Sequence, residues 1–194
     1  LACGTGVLCR ILQAAGIRSR GMDLSEGMIA IARAESPDIP YDVADMVTYR
    51  PEMHFELVTC TGDALNHIED LSDVGRIFEN VHACLAPGGL FVFDLLHEQE
   101  ISSAEPFELE FDDTITARFQ ITRPAGDRVH LQTQVFENGV HRFTEDIFER
   151  VHDRFAVLAL LEQAGFELVS CAHRLCDDGG EVATWYIIAR KPAR

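Results

Sequence analysis

The chain has 194 residues, 47% of them hydrophobic and 25% charged, with a mean hydropathy of +0.02, so it can bury one substantial core and is not disordered by composition. Lys and Arg number 16 against 32 Asp and Glu, a formal net charge of −16, which argues against a nucleic-acid partner and against an anionic membrane surface, since both need a positive face. No run approaches the roughly 18 apolar residues of a membrane span and no charged-then-apolar leader opens the chain, so a cytoplasmic location is expected.

Leu1 already belongs to an apolar-then-glycine motif that normally follows a strand, so the chain is expected to be truncated at its N-terminus. Val7, Leu8, Ile11, Leu12 and Ala15 recur at helical spacing up to Gly16, a C-terminal glycine stop. A strand is expected over 18–23, then a helix over 26–34 that Ser25 can cap. Pro37 and Pro40 bound the next loop, and short strands follow near 41–45 and 55–61.

The segment 73–85 reads as an amphipathic helix with Val74, Ile77, Phe78, Val81 and Leu85 inward. Pro87-Gly88-Gly89 is expected to turn the chain into Leu90–Leu96, an apolar run suited to a central strand buried on both faces. Strands alternating with helices in this way imply a parallel sheet with crossover helices.

From Phe107 the period changes to two, the pattern of an antiparallel insert. Its turns are expected at Pro124-Ala125-Gly126-Asp127 and at Asn138-Gly139, a two-residue hairpin signal. After Asp153 a helix with Phe155, Leu158 and Leu161 on one face runs to Gly165, followed by strands at 167–172 and 184–190. Cys3, Cys9, Cys60, Cys84, Cys171 and Cys176 include no Cys-x-x-Cys pair, so reduced, mostly buried thiols are expected.

The chemistry concentrates in Leu1-Ala2-Cys3-Gly4-Thr5-Gly6, a strand end, a glycine turn and a helix N-terminus. Glycines let a ligand approach the backbone, and first-turn amides donate hydrogen bonds. Asp23 ends the second strand, where a carboxylate can accept from both hydroxyls of a ribose. Asp45 with Met46 ends the third, suited to an adenine edge and ring face. Thr61 to His67 follows the fourth and would lie over the crevice at the strand ends, where open α/β sheets bind ligands.

These residues resemble the class I S-adenosylmethionine-dependent methyltransferases. Leu1–Gly6 is similar to their first cofactor motif, 21–29 to their ribose-binding strand and helix, and 85–90 to the turn before their fifth strand; the likeness covers 1–97 and about 153–191. It implies an α/β Rossmann-like fold: a seven-stranded, mostly parallel sheet flanked by helices, with an antiparallel β insert after the fifth strand. The domains would be a cofactor-binding core (1–97), the insert (98–152) and the last helix and strands completing the core (153–194).

The resemblance further implies a methyltransferase with S-adenosyl-L-methionine as cofactor, acting in methylation of a small-molecule N or O acceptor. Ala2, Cys3, Gly4 and Gly6 would contact the methionine part, Asp23 and Met28 the ribose and adenine, Asp45 and Met46 the adenine. Thr61 and Asn66 would sit beside the sulfonium and acceptor. The insert resembles the added sheet of sugar-amine N-methyltransferases, which shapes the acceptor pocket or offers an edge on which two copies could form a homodimer.

If the acceptor must lose a proton, His67 and His97 are the catalytic candidates, since both follow strand ends and histidine titrates near neutrality; a loop histidine equally serves as a cap or a solvated residue. Asp94, inside an apolar strand, needs a partner or an opening to the crevice. Cys3 and Cys9 have only Arg10 nearby in sequence to activate a thiol, so no nucleophilic role is expected. No zinc-type His or Cys spacing is present, so no metal is expected. Two other readings stay open. One is a non-catalytic cofactor-binding or dimerisation module of the same fold; the other is an NAD-dependent oxidoreductase, disfavoured because Cys9 stands where the dinucleotide fingerprint has its third glycine.

Overall fold

The computed structural model describes residues 1–97, 105–124, 126–174 and 184–193; Ala125 and Cys176 lie outside them. Helix α1 (Val7–Ala14) leads to β1 (Gly21–Asp23), α2 (Glu26–Glu35), β2 (Tyr41–Val43) and β3 (Phe55–Cys60). A 3-10 turn (Ala64–His67), α3 (Leu71–Cys84) and β4 (Leu85–Leu96) follow. Then come β5 (Phe107–Glu110), β6 (Ile115–Thr122), β7 (Arg128–Glu137), β8 (Val140–Arg150), α4 (Arg154–Gln163), β9 (Glu167–Arg174) and β10 (Thr184–Arg190).

These strands form three sheets: β1-β2, β3-β4-β10-β9 and β5-β6-β7-β8. The pairs β1-β2 and β3-β4 are parallel, and β10 runs antiparallel to both β4 and β9. The first two sheets are not hydrogen-bonded to each other; the backbone of Leu1–Cys3 lies between them, with the Leu1 nitrogen donating to the Thr59 carbonyl (2.7 Å) and the Cys3 amide to the Met22 carbonyl (2.9 Å). Six strands in two sheets therefore stand where the sequence led us to expect one sheet of seven.

The apolar pattern dictates the main core. Phe91, Phe93 and Leu95 alternate along β4 with almost no exposure and meet Val74, Ile77, Phe78 and Val81 of α3. Phe78 lies 5.8 Å from Phe91 edge-on and 5.3 Å from Phe93, adding aromatic geometry to area burial. A smaller core under β1-β2 holds Cys9, Ile29, Ala32, Ile39 and Tyr41. A third cluster, Leu96, Val129 and Val151, joins the end of β4 to the antiparallel sheet.

Local signals placed several element ends. Ser25 Oγ accepts from the Met28 amide (3.3 Å) at the start of α2, and Asp153 Oδ1 from the Ala156 amide (2.8 Å) at the start of α4. Asn138 (φ 51°) and Gly139 (φ 74°) form the left-handed hairpin turn between β7 and β8. Two expectations are corrected. Pro87-Gly88-Gly89 falls inside β4, as an irregularity with Gly88 at φ 82°, because Leu85 already pairs with Phe55 and the Gly88 amide donates to the Lys191 carbonyl. In α4 the fully buried residues are Val157 and Leu161, four apart, while Phe155 is 66% exposed. Among the described residues no helix is long and apolar enough to cross a membrane.

Candidate active site

Asp23 organises the glycine turn. Its Oδ2 accepts from the Gly4 amide (2.8 Å) and its Oδ1 from the Ser25 amide (2.9 Å), so one carboxylate ties the loop after Leu1 to the start of α2. Each oxygen keeps acceptor capacity for a further donor. Gly4 (φ 53°) faces open space, whereas a Cβ on Gly6 (φ 78°) would collide with the Tyr41 ring. Ala2 also has positive φ (49°). Helix α1 starts at Gly6 with no side-chain cap, leaving its N-terminal end to other acceptors.

Parallel pairing brings the ends of β1 and β2 together: Asp23 lies opposite Val43, and the Ala44 amide donates to the Asp23 carbonyl (2.9 Å). Asp45 is exposed and accepts from the Val47 amide (2.8 Å), closing its own turn. Met46 packs against the main core. Met28, 44% exposed, occupies the first turn of α2. A cavity of about 440 Å³ between β1 and β3 is lined mainly by apolar residues of α1, β3 and α3; Ala2, Cys3, Met46 and Thr61 also border it, whereas Gly4, Asp23 and Asp45 do not. This set suits a nucleoside joined to an amino acid: a partly exposed carboxylate at a strand end, open backbone over Gly4, and an uncapped helix start.

Across the crevice, Asp94 is 5% exposed. Its carboxylate accepts from the Gly62 amide (2.9 Å) and the Asp63 amide (3.0 Å), so the partner it needed is the loop after β3. That grip holds Asp63 in the left-handed region at φ 59°, a conformation few non-glycine residues adopt. Burial pushes the Asp94 carboxyl up against the opposing pull of those two amides, and burial followed by the nearby Asp94 charge pushes Asp63 up.

His67 is half exposed, with Nε2 3.7 Å from Oε1 of Glu149, whose side chain is only 10% exposed. Burial, and secondarily the like charge of Asp63, pushes Glu149 up to about 7. Asn66 is 1% exposed, and both ends of its amide are bonded: Nδ2 donates to the Arg150 carbonyl (2.7 Å) and Oδ1 accepts from the Leu96 amide (3.1 Å). It joins the turn to β4 and β8. His97 is buried, its ring stacked on Trp185 of β10 (4.8 Å) and 4.9 Å from His173 of β9. His67 thus faces β8, whereas His97 packs among residues of β9 and β10.

The neighbouring Cys3 thiol draws the Cys9 thiol down from its ordinary value. The neighbour acting on Cys9 is therefore Cys3 rather than Arg10, which donates to the Thr5 carbonyl. Sequence reasoning missed Glu149 and Asp63. Glu149 had a signal, since it shares parity along its strand with the inward Ile147 and Val151; Asp63 had none beyond its place after β3.

A profile of the family described as "Methyltransferase domain" matches residues 1–89, the stretch holding the glycine turn, Asp23, Asp45, Thr61 and Asn66. A dTDP-4-amino-2,3,4,6-tetradeoxy-D-glucose N,N-dimethyltransferase from Saccharopolyspora spinosa is 26% identical over 184 residues, 85% of this chain and 69% of that protein. A dTDP-3-amino-3,6-dideoxy-alpha-D-glucopyranose N,N-dimethyltransferase from Streptomyces fradiae is 31% identical over 94 residues, 48% of this chain and 37% of that one. Several curated relatives are matched over less than half of their own length. The solved structure of an amino pentose methyltransferase from Micromonospora echinaspora, with S-adenosylmethionine bound, superposes with a TM-score of 0.79 at 23% identity, covering 98% of this chain and 80% of that one. Residues 1–89, which hold the glycine turn and the strand-end aspartate, thus match the methyltransferase-domain family, and the whole chain shares the fold of S-adenosylmethionine-dependent methyltransferases.

Proposed function

We propose that the chain holds S-adenosylmethionine across the ends of β1 to β4 and serves the methylation of a small molecule at an amino group, with a hydroxyl as the other acceptor class. The observation that carries this reading is the Asp23 carboxylate gripping the Gly4 amide where the ends of β1 and β2 meet. The amine is favoured because the Saccharopolyspora and Streptomyces relatives are N,N-dimethyltransferases of amino sugars.

In this reading the backbone of Ala2, Cys3, Gly4 and Gly6 takes the methionine end, Asp23 accepts from the ribose hydroxyls, and Met28, Asp45 and Met46 flank the adenine. Thr61 borders the reacting end, and Asn66 fixes the turn behind it. The bound cofactor supplies an electrophilic methyl on a sulfonium, which needs positioning more than strong acid or base. His67 would take the proton of an ammonium acceptor at Nε2 and pass it to water, leaving a neutral amine whose lone pair would meet the methyl that the cofactor would supply. The buried His97 packs the strand end instead.

In this reading residues 1–97 with 153–194 are the core and 98–152 the insert. One further parallel strand in the slot between β1 and β3 would complete the seven-stranded, mostly parallel sheet. We take the site of action to be cytoplasmic, the acceptor to be neither nucleic acid nor membrane, and β5, an edge strand exposing Phe107 and Leu109, to be where two copies would pair.

Calorimetric titration with S-adenosylhomocysteine tests the reading. Asp23→Ala removes a charged acceptor, a loss of about 1.5–3 kcal/mol, and affinity should fall roughly 10- to 100-fold. Unchanged affinity in that variant, or no binding by the parent chain, would overturn it.

A further inference from the structure

We propose that Glu149, carried to the crevice by β8, determines acceptor specificity: with Asp63 it forms an anionic subsite that holds the acceptor's amino group as an ammonium ion beside His67. This rests on the methyltransferase reading of the same crevice and names what selects its acceptor.

Strand alternation puts Glu149 there. It pairs across β7 with Val129, and Ile147 pairs with Leu131, so Ile147, Glu149 and Val151 share a face. Val129 and Val151 on that face are buried against Leu96. One carboxylate thus interrupts an apolar stripe, nine-tenths buried, and among the described residues it forms an ion pair with His67 at 3.7 Å. A buried carboxylate with so little compensation is costly unless a cation completes it.

The cations nearby in sequence are committed elsewhere. Arg150, on the opposite face of β8, pairs with Asp127 (2.8 Å) and Glu69 (3.8 Å), and Arg128 pairs with Glu69 (2.6 Å). The groups acting on Glu149 from the loop after β3 are Asp63 and His67, with Asp94 behind Asp63. Two carboxyls and a half-exposed imidazole leave a site short of positive charge and of donors. An ammonium group brings one charge and three N–H donors, enough for both carboxylates at once, whereas a hydroxyl brings one donor and no charge. The antiparallel sheet would therefore contribute selection of amines over alcohols, while the α/β core contributes the cofactor site.

Calorimetry with dTDP-4-amino-4,6-dideoxy-D-glucose and its 4-hydroxy counterpart, in the presence of S-adenosylhomocysteine, tests this. The parent chain should bind the amine at least tenfold more tightly, with an enthalpy that depends on the buffer because protons are exchanged as the ammonium meets Glu149. Glu149→Gln should abolish both the preference and the buffer dependence while S-adenosylhomocysteine affinity is kept; Asp63→Asn should weaken the preference and serves if the first variant does not fold. A parent chain without amine preference, or a folded variant that retains it, overturns the subsite. Amine preference without S-adenosylhomocysteine binding would leave the subsite standing and sink the methyltransferase reading instead.

Discussion

Glu149 makes stability depend on pH in a direction opposite to that of a salt-bridged carboxylate. Its folded-state value of about 7 lies above its ordinary 4.5, so between these the folded chain binds the proton that the unfolded chain has released. Stability contributed by this group is therefore whole below pH 4.5 and declines as pH rises toward 7, by about 3 kcal/mol. Glu149→Gln removes the dependence. Urea unfolding from pH 5 to 8 should show the variant gaining on the parent across that window; parallel curves would mean that Glu149 is ionised throughout. Asp23 was legible as a site residue because everything that defines it, the glycine turn and a strand end, lies within a short stretch of chain. Glu149 was legible only as an inward position, from its parity with Ile147 and Val151; its role was not, because that arises from meeting a turn 82 residues earlier.

At the scale of elements, the 3-10 turn over Ala64–His67 is the joint between the core and the antiparallel sheet. Asn66 donates to Arg150, His152 Nε2 lies 3.2 Å from the Leu65 carbonyl, and His67 faces Glu149. Asn66→Ala leaves the Leu96 amide and the Arg150 carbonyl without partners, costing roughly 3 kcal/mol. The lowered urea midpoint should come with faster hydrogen exchange at Leu96, and an unchanged Leu96 amide would show that the joint is held by apolar contact alone. Helix starts and the hairpin were legible because a cap or a two-residue turn is decided by residues in contact along the chain, as at Ser25, Asp153 and Asn138-Gly139. Pro87-Gly88-Gly89 misled because pairing with Phe55 and Lys191 overrode local turn chemistry. The face of α4 misled because residues three apart and four apart both fit a helical stripe, and packing chose Val157 with Leu161.

Across the whole molecule, the α/β part consists of two half-sheets meeting at Leu1–Cys3, with a cavity of about 440 Å³ between β1 and β3. Few hydrogen bonds cross that seam, so each half is expected to open with its own free energy, lower for the three-residue strands β1 and β2 over their small core. The proposed ligand contacts lie on both halves: Gly4 and Asp23 on one, Met46 and Thr61 on the other. A ligand that binds only when both are folded adds the same increment to each opening, about 2.7 kcal/mol at a hundredfold excess over its dissociation constant. Hydrogen exchange with S-adenosylhomocysteine should therefore slow the amides of β1, β2 and β3 together and draw their opening energies toward a common value, whereas NAD should leave both unchanged. Protection confined to β1 and β2 would place the ligand on Asp23 alone and remove Thr61 and Met46 from the site; equal protection by NAD would return the glycine turn to a general dinucleotide role.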